Sequence, residues 1–377
     1  MDLDVTVVGA GIVGLAIASR LAERNHRVAV VERHRRYGLE TSSRNSEVVH
    51  AGIYYPSHWL KTTLCLEGNR LLRELAERGL IPVVWTGKLV VARSADEAKA
   101  LEVLYHRGQE NGVPLQWREG RDVSEAEPAV RACAGIFSPT TGMTNAHALM
   151  DYFARAAEDA GATVALGAAV TALEPDRSGI TFRLADGDSL TTRFLINATG
   201  LSADRLAALA GIDVEAQGEV LQYCKGDYFA APGKVALGRL VYPVPDEVSL
   251  GIHATPRLML HDGRLQLQKG IRLGPSAYYI PRVEADALDY AVDENRREEF
   301  AAARTFIPSL EPDDLTPDMA GVRPRLQAAG EAARDFIIRP EAEVTGLINL
   351  IGIDSPGLTA APGIARYVAD LIQELDA

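Results

Sequence analysis

Cysteine is scarce: there are three among 377 residues, Cys65, Cys133 and Cys224. They are odd in number and far apart, with no Cys-x-x-Cys, so neither a disulfide framework nor a zinc site can be read and no metal site is expected. Positive charge is also short. Lys and Arg total 39 against 51 Asp and Glu, a formal net charge of −12. That argues against nucleic acid as the main partner, because a phosphate backbone favours a basic surface. A local basic pocket for a small anion remains compatible with it. No run reaches the ~18 apolar residues that span a bilayer. The N-terminus, MDLDVTVVGAGIVG, has no basic stretch ahead of its apolar run, and glycines break that run early, unlike a signal peptide. These absences predict a cytoplasmic protein whose membrane contact is at most peripheral. Neither an internal repeat nor a low-complexity tract is present.

What is there supports an α/β fold with a second, inserted domain. The length and a 47% hydrophobic content can furnish two cores. DVTVVGAGIVGLAIASRLAERNHRVAVVER reads as strand, helix, strand. Val5 to Val8 is a β-branched run suited to a buried parallel strand, and Leu15, Ala18 and Leu21 recur at helical spacing. A helix, a turn at Gly161 and a strand follow Asn145. A hairpin turning at Asp186-Gly187 and a strand ending at Asn197 come next, and a strand, a Gly/Pro loop and a helix close the chain. Residues 86–144 and 216–319 alternate as antiparallel strands do, in KLVVA, KGDYFAA, RLVYPV and LQLQKG. The predicted division is a Rossmann-like cofactor domain of residues 1–85, 145–215 and 320–377, carrying an inserted substrate domain of 86–144 and 216–319.

The glycines Gly9, Gly11 and Gly14 form GxGxxG between the first strand and its helix. The first permits a tight turn, the second a close approach to a pyrophosphate, and the third packs helix on strand. The helix N-terminus faces the diphosphate with free N–H groups. Glu32, at the end of the second strand, can accept hydrogen bonds from ribose hydroxyls and would repel a 2′-phosphate. Together these features predict dinucleotide binding. The motif alone leaves FAD and NAD open. Two further small-residue turns, Ile196–Gly200 and Gly352–Thr359, favour FAD. The second opens a helix whose N–H groups could meet the flavin edge where negative charge grows on reduction.

These motifs resemble the FAD-dependent oxidoreductases of the D-amino-acid oxidase type. The resemblance rests on GxGxxG with Glu32, SSRNSEVVHAG, INATG, AGVRP and GIDSPGLTAAPGIA, and spans nearly the whole chain. NSEVVHAGIYYP, LKTTLCLEGNRLL, TGKLVVA, NGVPLQW, CKGDYF and GIHATP resemble the L-2-hydroxyglutarate dehydrogenase/oxidase branch. Glu47 departs from it, standing where that branch commonly has glycine. The resemblance implies noncovalent FAD, with a covalent link through His50 as the alternative. It implies oxidation of a 2-hydroxy acid, L-2-hydroxyglutarate to 2-oxoglutarate, by hydride transfer to flavin N5 with a histidine base. The cofactor positions it implies are Gly9, Gly11, Gly14, Glu32, Arg33, Ser43, Arg44, Ser46, Val170, Ala198, Gly200, Gly321, Ser355, Gly357, Leu358 and Thr359.

Oxidising a 2-hydroxy acid needs an aligned C–H, a base for the hydroxyl proton, and cations that hold carboxylate. His50 is expected beside the flavin, where a histidine suits the base. His253, read as ending an apolar strand in SLGIHATP, is a second candidate, as base or carboxylate binder. Arg323 in AGVRPRL is the expected carboxylate anchor, since a guanidinium can hold carboxylate through two bonds. Tyr55 is expected as a donor or pocket wall and Lys225 as the holder of a distal carboxylate. Structural readings stand beside these: a satisfied core histidine for His50, an edge-strand lysine for Lys225. An amine or amino-acid oxidase of the same fold and a noncatalytic flavoprotein are the rival functions. The electron acceptor, oxygen or quinone, is left open.

Overall fold

In the computed structural model, residues 1–245, 251–284 and 287–376 are described. Ser249 and Leu250, part of the apolar run read ahead of His253, lie outside them. Among the described residues the first sheet has eight strands. Its centre is parallel: Leu3–Val8 pairs with Val28–Glu32 on one side and Ser189–Asn197 on the other, with Thr163–Leu166 and Leu347–Ile351 beyond. Strands buried on both faces read as continuous apolar runs, and Val5, Val7, Val30 and Ile196 are fully buried. The helices Ile12–Glu23, Ala146–Asp159 and Gly357–Asp376 cover one face. Residues 170–175 and 180–184 extend the sheet as an antiparallel ribbon.

Among the described residues the second sheet has nine strands and is antiparallel except where Lys88–Ala92 pairs in parallel with Leu240–Pro243. Its long strand Gln222–Pro232 lies against Thr316–Arg325, with Cys224 opposite Arg323 and Gly226 opposite Gly321. That second strand straddles the division drawn at 320 and belongs throughout to this sheet. Residues 95–110 form a helix inside a stretch read for its strands. Ser94 accepts the N–H of Glu97 at its start, and Asp96 and Glu97 occupy its first turn, where carboxylates suit the helix dipole.

A helix Leu60–Glu77 crosses the C-terminal helix very closely. A Cβ on Gly68 would lie 2.0 Å from the carbonyl oxygen of Thr359, so only glycine allows the approach. This crossing matters for the site, because the same helix brings Lys61 to Asp354 in the loop that precedes the last helix, and Cys65 and Asn69 to the His50 carbonyl. Among the described residues no helix is long and apolar enough to cross a membrane.

Candidate active site

A cavity of about 660 Å³ runs from the glycine loop to the strand Thr316–Arg325, within the range of small-molecule and cofactor sites. At one end, Gly9 has φ of +103°, which L side chains rarely adopt, and a Cβ on Gly11 would press to 2.9 Å from Ser42 Oγ. Glu32 is buried beneath the loop. It accepts the Ala10 N–H at 2.8 Å and the His34 N–H at 2.9 Å. The cradle is therefore held open by missing side chains and anchored by a carboxylate, which fits an adenosine diphosphate moiety. Arg33, Arg44, Ser46, Val170, Ala198, Gly200, Gly321, Ser355, Gly357 and Leu358 also line the cavity.

Three expected cofactor positions do not line it. Gly14 serves packing, since a Cβ there would meet the Gly9 carbonyl at 2.0 Å. Ser43 turns its hydroxyl to the Glu40 carbonyl, 3.2 Å away, while its neighbour Ser42 faces the cavity. Thr359 is fully buried behind the wall, where it accepts the His50 N–H at 2.9 Å and donates to the Val48 carbonyl at 3.1 Å.

That threonine is one of three pins on the segment that carries His50. Asn69 donates to the His50 carbonyl at 2.9 Å and to Thr140 at 3.0 Å. Asn111 donates to the carbonyls of Gly52 and Tyr55 at 2.8 and 3.0 Å. With both ends of the segment fixed, the imidazole of His50 faces the cavity. Burial, helped by the charge of Lys88, pushes its pKa down to about 3, so it stays neutral at ordinary pH. Upstream, Glu47 occupies the left-handed region with φ of +57°, where glycine is at ease. Its carboxylate offsets the strain by accepting the Ala146 N–H at 2.9 Å, at the start of the helix Ala146–Asp159.

His253 also lines the cavity, and its ring stacks on Tyr242 with centroids 3.5 Å apart and planes 10° apart. It precedes the strand Ala254–His261 instead of ending one. Arg323 lines the cavity from the opposite strand, donating to the Ser276 carbonyl at 2.7 Å and, more weakly, to the carbonyls of Cys224 and Lys225 at 3.5 Å. Tyr55 completes this wall, and its hydroxyl donates to Ser355 at 3.3 Å.

Lys225 is not brought to the cavity. Side chains alternate along a strand. Gly226, whose added Cβ would lie 3.0 Å from the Arg323 guanidinium, sits on the cavity side, so Lys225 takes the other side. Its ammonium donates to the Ala291 carbonyl at 2.6 Å. Sequence reasoning passed over Tyr228, from the same KGDYF motif, which lines the cavity and bonds Ser46 across 2.9 Å. It also passed over Tyr242, Asp354 and Arg325.

Strand, glycine loop, acidic strand end and a histidine-lined pocket on a second sheet define a flavin-dependent oxidoreductase. The chain belongs to the DAO family, FAD dependent oxidoreductase, which is matched over residues 4–371; its cofactor is FAD. It is 32% identical to the mitochondrial L-2-hydroxyglutarate dehydrogenase of Arabidopsis thaliana, over 98% of this chain and 83% of that protein. It is 29% identical to the Homo sapiens enzyme of the same name, over 99% of this chain and 89% of that protein. Its fold matches the dithionite-reduced L-α-glycerophosphate oxidase of Mycoplasma pneumoniae with FAD bound, with a TM-score of 0.87 and 27% identity, over 98% of this chain and 94% of that one.

Proposed function

We propose that the protein oxidises a 2-hydroxy acid, L-2-hydroxyglutarate, to the 2-oxo acid. One observation carries the reading: His50, His253, Tyr55 and Arg323 line the same cavity as Gly9, Gly11 and Glu32. A proton acceptor and an anion anchor thus share one chamber with the dinucleotide cradle. The names of the Arabidopsis and human relatives support the choice of substrate. When bound, FAD supplies the acceptor for the hydride from C2. The protein's part is to hold the carboxylate on Arg323 and to take the hydroxyl proton on a histidine.

His50 is the proposed base. Its low pKa keeps the lone pair available at neutral pH, but it also makes the ring a weak base. An anionic substrate beside the ring favours the protonated form and so raises its basicity at the moment it is needed. His253, fixed by its stack on Tyr242, serves as the second donor to substrate. Reoxidation falls to oxygen or a quinone. In this reading the cofactor domain comprises residues 1–85, 145–215 and 326–377 and the substrate domain 86–144 and 216–325, the boundary expected at 320 moving to the end of the strand Thr316–Arg325, which lies wholly in the second sheet.

The test is anaerobic. The flavin absorbance of the yellow holoprotein is followed after mixing with L-2-hydroxyglutarate, its D enantiomer, L-lactate, sarcosine or a D-amino acid. Bleaching is expected with L-2-hydroxyglutarate. Bleaching by sarcosine or the D-amino acid alone would replace the reading with an amine oxidase.

A further inference from the structure

Arg325 has no role in the chemistry so far. It lies two residues beyond Arg323 on the strand Thr316–Arg325, hence on the same strand face, and both line the cavity. Its Nε is 3.6 Å from Asp354 Oδ2 and, although buried, makes no hydrogen bond among the described residues. Asp354 is already served: Lys61, 3% exposed, places Nζ 2.8 Å from Oδ1. Tyr55 stands among these groups, its ring centroid 5.0 Å from Lys61 Nζ.

The charges at this end of the cavity do not balance. Arg323 and Arg325 put two positive charges on one strand face, and Asp354, the carboxylate beside Arg325, is already paired with Lys61. The hydrogen bonds of Arg323 go to backbone carbonyls, which carry no net charge. An excess of two positive charges in a partly buried wall is costly unless an anion completes it. A monocarboxylate would neutralise half of that excess, and a dicarboxylate all of it.

We propose that Arg325 is the specificity-determining residue for the second carboxylate of a dicarboxylate substrate, with Arg323 holding the carboxylate next to the reacting carbon. The Lys61–Asp354 pair fixes Arg325 in place. Lys225, on the other face of its strand, takes no part. The inference rests on the hydroxy-acid reading only in requiring an anionic substrate.

The test compares the holoenzyme with its Arg325→Gln and Arg325→Lys variants, after matching their FAD content and melting temperature. Two measurements are made on each. Oxidised flavin is titrated with glutarate and with butyrate, which lack the reacting hydroxyl, and turnover is measured with L-2-hydroxyglutarate and L-2-hydroxybutyrate. Arg325→Gln should weaken glutarate binding and raise KM for L-2-hydroxyglutarate about 10- to 100-fold, the effect of losing a charge-assisted bond. Butyrate, L-2-hydroxybutyrate and kcat should change little, and Arg325→Lys should recover part of the loss. Equal losses on diacid and monoacid, or an unchanged diacid preference in Arg325→Gln, would overturn the proposal. So would a wild-type enzyme that binds glutarate no better than butyrate. If neither hydroxy acid is oxidised, the hydroxy-acid reading fails separately, and the titrations still decide the role of Arg325.

Discussion

Lys88→Met should make the folded protein more stable at neutral pH and remove part of the dependence of stability on pH. Lys88 is fully buried on the strand Lys88–Ala92. Its ammonium donates to Tyr54 Oη at 3.0 Å and lies over the rings of Tyr54 and Tyr242, 4.4 and 4.7 Å from their centroids. Among the described residues it has no ion pair. Burial pulls its pKa from 10.5 down to about 7, and nearby Cys65 opposes the fall only in part. Between those values the unfolded chain binds a proton that the folded chain does not, so stability rises with pH from about 7 to 10.5. At 1.36 kcal/mol per pH unit, the penalty on the folded state below pH 7 is about 5 kcal/mol as an upper bound. Methionine removes it but leaves the Tyr54 hydroxyl without its donor, at a cost of about 1–3 kcal/mol. Urea unfolding of the wild type and Lys88→Met, at fixed FAD and at intervals from pH 6 to 10.5, gives the difference curve, in which titrating groups not coupled to Lys88 cancel. It should be largest at pH 6 and shrink steadily toward pH 10.5. A flat difference would refute the claim that Lys88 is held at a depressed pKa, as would one that grows with pH.

Two further outcomes follow from the site. His50→Asn should retain FAD but slow anaerobic flavin reduction about 10²- to 10⁴-fold, the usual range for a lost general base; a rate within threefold of wild type would remove His50 from that role. Gly321→Ala would put a Cβ 2.1 Å from the carbonyl oxygen of Arg44. That backbone contact cannot rotate away, so the variant should bind FAD more weakly and lose about 1–3 kcal/mol of stability, read by flavin release on heating. Unchanged release would show that the close approach of the two segments is dispensable.

The parts of the fold that follow from local pattern were legible in the sequence. The glycine loop, the continuous apolar strands and the closing strand–loop–helix appear where their spacing predicts them, because each is set by residues close in the chain. The cavity wall was legible in part. His50, Tyr55, His253 and Arg323 all reach it. Lys225 does not, and strand parity carries the reason: residues 224, 226 and 228 share a face that 225 cannot. The same parity pairs Arg325 with Arg323, a signal present in VRPR that a reading ending at the Arg-Pro turn leaves out. Lys88 had no such signal. Lysine is almost never fully buried unless paired, and nothing in KLVVA shows that its first residue points inward. The pins on His50 come from residues 19 to 309 positions away, through contacts that only the folded chain creates.

The central claim is that this cavity couples the oxidation of a 2-hydroxy acid to the reduction of bound FAD. A single anaerobic turnover tests it most directly: one equivalent of L-2-hydroxyglutarate is added to the holoprotein, and flavin bleaching and 2-oxoglutarate are quantified in the same sample. Equal amounts of reduced flavin and 2-oxoglutarate are expected. Recovery of the L-2-hydroxyglutarate intact beside fully oxidised flavin would contradict the account.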